Sequence, residues 1–501
     1  MTATVGGDIA VTGEQAICGA CHRRSGLGSS EGQEVVPAVT GDLLYEPLRL
    51  PTSKPPAAPL LRPAYTDETL KRAIRDGIDA NGTGLSPFMP RYPLTDEQLD
   101  ILIEYLKTLS ASRAPGVTEN EMHFATIVTD SVPPETREAL LDVMRLFFEQ
   151  KNTETRYESK RAEHPPWHKE WIFGPYRKWV LHVWDLEGPG ETWAGQLEAR
   201  YREQPVFAVL SGVAQGSWKP VHDFCEREQI PCLFPTTDLP VIDAEAFYSV
   251  YLSKGVALEA ESIVQHLADE DSLGKAVVQV WREGDPTGEA AAASLQDALT
   301  ARGGQAKNIP LGVDAPPDDA FWRSVLNEAT GAVTVLWLGA SDIHPVWAHL
   351  GDGGGPARIF LSTTAYGSEP ERVPAAARDR VFFVHAYELP SRLPRLLARS
   401  TGWLRAKRIY APAERRVQAN AFFALKIAGA VVAYIRGFFN REYFLESVEH
   451  MVDNASYTSV YPRVSLAPEQ RFVSKGAYIA RPSDGDGSLV EVTDWLIPGS
   501  R

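Results

Sequence analysis

Basic clusters, long apolar runs and familiar catalytic motifs are all missing from this chain of 501 residues. The net charge is −15 and no basic stripe occurs, which argues against nucleic acid as a partner. The most apolar segment, 421–439, contains Lys426 and Arg436, so it predicts a buried helix and no transmembrane segment. There is no Ser/His/Asp, flavin or pyrroloquinoline quinone signature, and we do not expect an enzyme. The hydrophobic fraction of 44% is ordinary for a soluble globular protein.

Cysteine is scarce as well, with only four in the chain. Cys18 and Cys21 are separated by two residues and followed at once by His22. Cys225 and Cys232 do not form a second pair of that spacing, which argues against a tetrahedral zinc site. A thioredoxin-like pair would follow a buried strand, and no such apolar run precedes this one. The CxxCH pattern instead predicts covalent attachment of a c-type haem.

Methionine is nearly as rare, and only Met1 and Met89 precede residue 120. Met89 lies in a loop framed by Pro87 and Pro90. A methionine is most often core filler, but haem c commonly takes His and Met as its two axial ligands. We therefore predict that Met89 is the sixth ligand of the iron.

Two helices are signalled around this loop. Thr95 with Gln98 forms a capping box before an apolar stripe, and Thr66 opens a shorter helix that Gly77 is expected to end. Residues 13–110 resemble a class I cytochrome c of the short bacterial type. The resemblance rests on CGACH at 18–22, VPAVTG at 36–41, IRDG at 74–77, FMPRY at 88–92 and LTDEQ at 94–98.

That resemblance implies one covalent haem c in an all-α domain. Cys18 and Cys21 would carry the thioethers, His22 would be the proximal ligand and Met89 the distal one. Pro37 would offer its carbonyl oxygen to the imidazole of His22. We place this domain at residues 1–112, followed by a linker at 113–121.

Residues 122–501 alternate strand signals with helix signals, among them a helix over 248–267, which predicts βαβ units with parallel sheets in two α/β lobes. The stretch resembles a type I periplasmic substrate-binding protein of the branched-chain amino acid and amide group. The phrases that carry it are VLHVWDLEGPGETWAGQLEARYREQPVFAVLSG at 180–212, PVHDFCEREQIPCLFPTTDLP at 220–240 and QRFVSKGAYIARP at 470–482. The resemblance implies lobes that close on a small polar ligand in the cleft.

Ser217, Thr236 and Thr237 match ligand-contacting positions of that family, and Asp342 is a fourth candidate as a substitute for the family's acid. Each also fits the alternative of a turn cap. Val346 stands where amino-acid receptors tend to place an acid, so an α-amino acid ligand is not expected unless Asp342 substitutes. A disulfide between Cys225 and Cys232 is expected in an oxidising compartment, the alternative being two small core residues.

The aromatic stretch 157–178 is expected to be either a self-packed insertion or a docking surface. Because haem c is attached outside the cytoplasm, we expect a periplasmic protein whose secretion signal has been removed. The favoured function is electron transfer to or from a periplasmic dehydrogenase or cytochrome, with the second region sensing a ligand or docking the partner. The alternative is a receptor for an ABC-type importer with an accessory haem domain.

Overall fold

The computed structural model describes residues 2–6, 9–31, 34–49, 60–155, 177–350, 355–367, 370–435, 438–455, 459–467, 470–483 and 488–499. These residues belong to two compact units. The first unit comprises Met1–His123, Glu149–Val180 and Ala428–Val448. The second comprises Phe124–Phe148, Leu181–Ile427 and Glu449–Arg501. The first unit thus takes in two later segments of the chain besides the predicted haem-carrying residues.

The amino-terminal part of the first unit has a helical core with short antiparallel strand pairs. Its elements are β1 (Thr2–Val5), β2 (Ile9–Thr12), α1 (Cys18–His22), β3 (Ser29–Glu31), β4 (Glu34–Val36), α2 (Gly41–Leu44), β5 (Leu48–Arg49), β6 (Leu60–Arg62), α3 (Asp67–Asp76) and α4 (Asp96–Thr108). β1 pairs with β2, β3 with β4 and β5 with β6. Leu70 and Ile74 of α3 pack with Leu99 and Ile103 of α4 in one buried cluster, so the two helices bury their apolar stripes together.

Both predicted helix starts in this region are confirmed. Thr95 Oγ1 accepts the backbone N–H of Gln98 at 3.3 Å, and Gln98 Oε1 accepts that of Thr95 at 3.0 Å. Thr66 caps α3 in the same reciprocal way with Thr69. Gly77 ends α3 with a φ of 69°, a left-handed conformation in which glycine has no side chain to strain.

The remaining elements alternate strands and helices. They are β7 (Glu121–Thr129), α5 (Pro134–Thr155), β8 (Lys178–Leu186), α6 (Trp193–Glu203), β9 (Ala208–Leu210), α7 (Lys219–Arg227), β10 (Cys232–Leu233), β11 (Ser249–Val250), α8 (Val256–Asp269), β12 (Val277–Arg282), α9 (Pro286–Thr300), β13 (Ala306–Leu311), α10 (Asp319–Glu328), β14 (Val333–Trp337), α11 (Ala340–Ile343), β15 (Arg358–Ser362), α12 (Thr363–Tyr366), β16 (Val381–His385), α13 (Leu393–Leu396), α14 (Ala398–Ala406), α15 (Arg415–Tyr434), α16 (Arg441–Asp453), β17 (Tyr478–Pro482) and β18 (Leu489–Glu491).

These strands form two larger sheets, as the alternation predicted. One has the order β11-β10-β9-β7-β8 and the other β13-β12-β14-β15-β16-β17-β18. β12 to β16 pair in parallel, with Val280 opposite Ile309 on one side and Leu336 on the other, while β17 and β18 are antiparallel. All five residues of β14 are buried, which is typical of a parallel strand covered on both faces. The α/β prediction is therefore confirmed.

One predicted helix, 248–267, is only partly present. Its first residues form β11, the chain turns at Gly255, and α8 begins at Val256. Gly255 has a φ of 57°, and a Cβ there would lie 2.2 Å from the carbonyl oxygen of Asp238. The mostly apolar residues around β11 fit a buried strand as well as a helix. In the structure they form a strand, which pairs in parallel with β10.

The apolar segment predicted as a buried helix forms α15. By length and composition α15 could cross a membrane, and 67% of its apolar window is buried inside the protein. It is the single such helix among the described residues. Core helices of globular proteins have the same length and composition. Because most of its apolar window is buried, α15 fits a core helix of the α/β region.

The predicted disulfide between Cys225 and Cys232 is corrected by the structure. Cys225 lies on α7 and Cys232 begins β10, and no bond joins their sulfurs. Both side chains are buried in the same apolar cluster, where they pack as small hydrophobic residues. The aromatic stretch 157–178, apart from its last two residues, lies outside the described residues.

Candidate functional site

Helix α1 carries both cysteines and the adjacent histidine on little more than one turn. It begins at Cys18 after Ile17 and ends at His22, where Arg23 takes a φ of 64°. Cys21 is exposed and Cys18 is half-buried. The short helix presents two sulfurs and one imidazole in the order that covalent haem attachment requires.

A cavity of about 300 Å³ brings the predicted haem residues together. Its lining contains Cys18, Cys21, His22, Pro37 and Met89, although Met89 is 67 residues from His22 in the sequence. The remaining lining is mostly apolar, with Ile17, Val36, Leu85, Phe88, Pro90 and Tyr92 beside Gln15 and Ser86. The first five residues are the ones that the sequence assigned to the haem site.

His22 is oriented by the backbone of Pro37, as the resemblance implied. Its Nδ1 donates to the carbonyl oxygen of Pro37 at 2.9 Å. Burial lowers the pKa of His22, and the bond to Pro37 opposes that shift. Because Nδ1 is engaged, Nε2 remains as the nitrogen that can bind a metal.

Arg91 holds the loop that carries Met89. Its guanidinium donates to the carbonyl oxygens of Met89 at 2.5 Å, Leu85 at 3.2 Å and Ser86 at 3.3 Å. The guanidinium lies against Gly77, where a Cβ would be 1.8 Å from Arg91 Nε. Arg91 was not predicted as a site residue, although it belongs to the FMPRY motif at 88–92.

Tyr92 forms the inner wall of the cavity beside Cys18. It is 3% exposed and lines the cavity together with Cys18. Burial and the adjacent Cys18 raise the pKa of Tyr92, so the phenol stays protonated.

The residues present fit a covalently attached haem. The cavity offers two sulfurs for attachment, one imidazole with a free Nε2 and one thioether, enclosed by apolar side chains. Elsewhere among the described residues no group of three or more His, Cys, Asp or Glu side chains could hold a metal ion.

The structure divides the four predicted ligand-contacting residues of the second region. Asp342 accepts two bonds from Arg282, at 2.7 and 3.1 Å, so its carboxylate is engaged in an ion pair. Ser217 is exposed and accepts the N–H of Lys219 at the start of α7. The Ser217 contact is that of a turn cap, and a ligand-contacting role for either residue stays a prediction.

Thr236 and Thr237 follow β10 and are buried. Thr236 Oγ1 accepts from the Asn420 side chain at 3.1 Å, and Thr237 Oγ1 accepts the N–H of Leu239 at 3.1 Å. Asn420 lies on α15 and was not predicted. Thr236 and Thr237 are thus both buried after β10, and their contact with a ligand stays a prediction.

A polar cluster surrounds Thr236, and we call Thr236, Asp238, Tyr387, Arg416 and Asn420 the cleft cluster. Arg416 on α15 donates to Asp238 at 2.5 Å and lies 4.9 Å from the Tyr387 ring centroid. Burial opposes the charge of Arg416, but Asp238 and the nearby tyrosines outweigh it and raise the Arg416 pKa. The cluster joins the end of β10 in one sheet to the residues after β16 in the other.

Three buried polar atoms near this cluster have no hydrogen-bond partner among the described residues. They are Ser211 Oγ, Arg416 Nε and Asn420 Oδ1. Ser211 follows β9 with a φ of 56°, an uncommon conformation for a non-glycine residue. Such unsatisfied atoms are the ones that a bound polar molecule can satisfy.

Glu259 on α8 is a second buried polar feature that the sequence did not reveal. Its carboxylate accepts from the hydroxyls of Ser362, Thr363 and Thr364 and from the Thr364 N–H. Burial raises the pKa of Glu259 to about 7, although these hydrogen bonds favour the charged form.

Comparison with known proteins gives one match for the amino-terminal part of the chain and another for the α/β region. Residues 13–110 match the family model described as cytochrome c. No curated protein sequence matches the chain.

Several solved structures that resemble it are ABC transporter substrate-binding proteins. A fatty acid ABC transporter substrate-binding protein from Thermomonospora curvata aligns with a TM-score of 0.51 at 15% identity, over 77% of this chain and 95% of that one. A branched-chain amino acid ABC transporter from Thermus thermophilus with bound valine gives 0.52 at 14% identity, over 76% and 98%. A solute-binding protein from R. palustris in complex with benzoate gives 0.52 at 13% identity, over 76% and 97%.

At these identities the likeness concerns the fold alone. Taken with the cavity around His22 and the two parallel sheets, it means that the chain carries a cytochrome c domain at residues 13–110, followed by an α/β region with the fold of type I periplasmic binding proteins.

Proposed function

We propose that this protein transfers electrons outside the cytoplasm through one covalent haem c with His22 and Met89 as axial ligands. The observation that carries the proposal is the cavity that gathers both cysteines, His22 and Met89. A haem bound there supplies one-electron chemistry at its iron. We propose no catalysis by the protein itself.

The chain's own residues define how the haem would be held. Cys18 and Cys21 would fix it by two thioether bonds, and the Pro37 carbonyl orients His22 through the 2.9 Å bond to Nδ1. Arg91 fixes the Met89 loop by bonding to its carbonyl oxygens. The apolar lining would limit the access of water to a haem held there, which together with a methionine ligand would favour a high reduction potential.

The test of this proposal is covalent haem in a matured sample. We expect the protein produced with a haem c maturation system to keep its pigment in acidified organic solvent, and a Cys18→Ala/Cys21→Ala variant to release it. Met89→Ala should keep the covalent haem but lose methionine ligation, whereas Met451→Ala on α16 serves as the matched control. A colourless wild-type sample would refute the proposal.

For the α/β region we propose binding of a small ligand at the cleft cluster, or docking of a periplasmic redox partner such as a dehydrogenase or another cytochrome. Support for ligand binding comes from the unsatisfied Ser211 Oγ, Arg416 Nε and Asn420 Oδ1. These donors and acceptors suit a small polar or carboxylate-bearing molecule.

The same observation favours a second function, that of a solute receptor for an ABC-type importer. A thermal-shift panel containing valine, benzoate and a fatty acid, run with oxidised and with reduced protein, separates the two. A ligand whose affinity depends on the redox state must also shift the haem potential, which favours ligand-sensing electron transfer. Equal affinity in both states favours the receptor. Arg416→Gln should abolish binding, and Arg405→Gln at the exposed surface of α14 is the control.

A further inference from the structure

The loop that follows His22 is fastened by a residue from the distant helix α16. Glu446 accepts the backbone N–H of Ser25 at 2.8 Å on one carboxylate oxygen and the Ser25 hydroxyl at 2.6 Å on the other. The two residues are 421 positions apart in the sequence, and both belong to the first compact unit. Ser25 is 2% exposed, so these charge-assisted bonds are shielded from water.

Ser25 lies at the centre of the proximal loop, residues 22–28. Its hydroxyl also accepts the Leu27 N–H at 3.1 Å. The Gly28 N–H donates to the His22 carbonyl oxygen at 3.1 Å, which closes the loop on the proximal histidine. The bonds to Glu446 therefore fix the middle of the loop, while the Gly28–His22 bond connects its two ends.

The proximal loop packs directly against the residue that orients His22. Gly28 has a φ of 82°, and a Cβ there would lie 3.0 Å from the Pro37 carbonyl oxygen. Val39 lies two residues beyond Pro37, and its N–H donates to the carbonyl oxygen of Gly26 at 2.7 Å. A displacement of the loop would thus move the carbonyl that accepts from His22 Nδ1.

Neighbouring contacts extend this attachment. The Ala114 N–H donates to the Phe439 carbonyl oxygen at 2.9 Å, and Arg24 pairs with Glu442 at 3.1 Å. The Arg24 and Glu442 side chains are 53% and 23% exposed. Arg24 is therefore much more exposed to solvent than Ser25, which is 2% exposed. Glu442 precedes Glu446 by one helical turn, and the two carboxylates contact neighbouring residues of the same loop, Arg24 and Ser25.

We propose that Glu446 is a positioning residue for the proximal side of the haem, and that its carboxylate lowers the haem potential. The proposal rests on the haem site proposed above. Oxidation of the iron adds one positive charge, and the Glu446 carboxylate, which is bonded to the proximal loop through Ser25, favours the oxidised state. The hydrogen bonds through Ser25 also fix the direction of the His22 ring, a second means of tuning the iron.

The test uses the full, matured chain with Glu446→Gln, Ser25→Ala and Glu442→Gln. Glu442→Gln removes the same charge one turn away and loses the more exposed pair with Arg24 while keeping both bonds to Ser25, so it is the matched control. The measurements are covalent haem content, midpoint potential by equilibrium titration and the paramagnetically shifted NMR signals of the His22 ring.

We expect all three variants to keep their covalent haem. Glu446→Gln should raise the potential more than Glu442→Gln does, and should move the His22 signals. Ser25→Ala changes no charge and should still move those signals, whereas Glu442→Gln should leave them in place. If Glu446→Gln does not fold, Ser25→Ala still decides the positioning role.

Unaltered His22 signals in Ser25→Ala and Glu446→Gln, with a potential shift no larger than that of Glu442→Gln, would overturn the proposal. Loss of covalent haem from the wild-type chain would instead refute the haem site itself, so the two failures are distinguishable.

Discussion

At the scale of single residues, the haem site divides into groups with a local sequence pattern and groups without one. Cys18, Cys21 and His22 were predicted because covalent attachment demands a fixed spacing. Met89 was predicted because it is a rare residue framed by prolines. Arg91 was missed because its role consists of bonds to backbone carbonyl oxygens, which leave no pattern in the residues that accept them.

Replacing Arg91 by alanine is expected to loosen the Met89 loop. Three carbonyl oxygens lose their donor, which we expect to cost about 3 kcal/mol of stability since each such bond is worth about 1 kcal/mol. The absorbance band that arises from methionine sulfur on ferric iron should weaken, and the potential should fall. Arg75→Ala, which removes a similar bond to the Leu94 carbonyl oxygen, should leave the band unchanged. A full-strength band in Arg91→Ala would contradict the assigned role.

Glu259 is expected to make folding stability depend on pH. Burial raises its pKa from 4.5 to about 7 in the folded state, so between those values the folded protein binds a proton that the unfolded chain has released. The stabilisation is complete below pH 4.5 and is lost as the pH rises through about 7. In this window the free energy of unfolding should fall by up to about 1.4 kcal/mol per pH unit from this group.

The measurement is denaturant unfolding of wild-type protein and Glu259→Gln between pH 4.5 and 7. The glutamine variant lacks the titrating proton, so its slope against pH should be smaller. Thr364→Val keeps the carboxylate and removes one of its donors, so the slope should persist there. Identical slopes for wild type and Glu259→Gln would show that the carboxyl does not titrate in this range.

At the scale of elements, capping signals were the most reliable part of the sequence. Thr66 and Thr95 cap α3 and α4 as predicted, because a cap satisfies N–H groups within three residues of itself. The predicted helix over 248–267 was partly wrong, since β11 replaces its beginning. A run of a few apolar residues is too short to show a helical or a strand periodicity. Its secondary structure therefore depends on whether a neighbouring strand is available for pairing, as β10 is for β11.

Removal of the α4 cap should destabilise the haem-carrying part of the chain. Thr95→Ala leaves the Gln98 N–H without its acceptor, and we expect a loss of about 1 kcal/mol in the free energy of unfolding. The matched control is Thr108→Ala at the last residue of α4, where the change should stay within about 0.5 kcal/mol. Chemical unfolding followed by haem absorbance measures both variants. Equal losses would argue against the cap as the cause.

At the scale of the whole molecule, the acidic balance predicts how the protein exchanges electrons with small reagents. The protein part has a net charge of −15, so it attracts cationic reagents at low salt. Ionic strength between 0.01 and 0.15 M shortens the screening length from about 30 Å to about 8 Å. The rate constant for reduction by hexaammineruthenium(II) should therefore fall across that range, as stopped-flow absorbance can measure.

An anionic iron-cyanide reductant is expected to show the opposite trend, and an uncharged reductant is the control. A ruthenium rate that rises with salt would mean that the field at the haem site is positive despite the acidic total. That outcome would also argue against a basic redox partner.

The sequence by itself determined the features that depend on neighbouring residues: the CxxCH helix, the caps of α3 and α4, and the alternation that produces parallel sheets. Only the tertiary structure decided the contacts of Glu446 with Ser25 and of Arg416 with Asp238, and the packing of Cys225 and Cys232 without a disulfide. The physical reason is distance along the chain. A local pattern constrains backbone angles and faces, but the partner of a charged side chain is chosen by how distant elements pack.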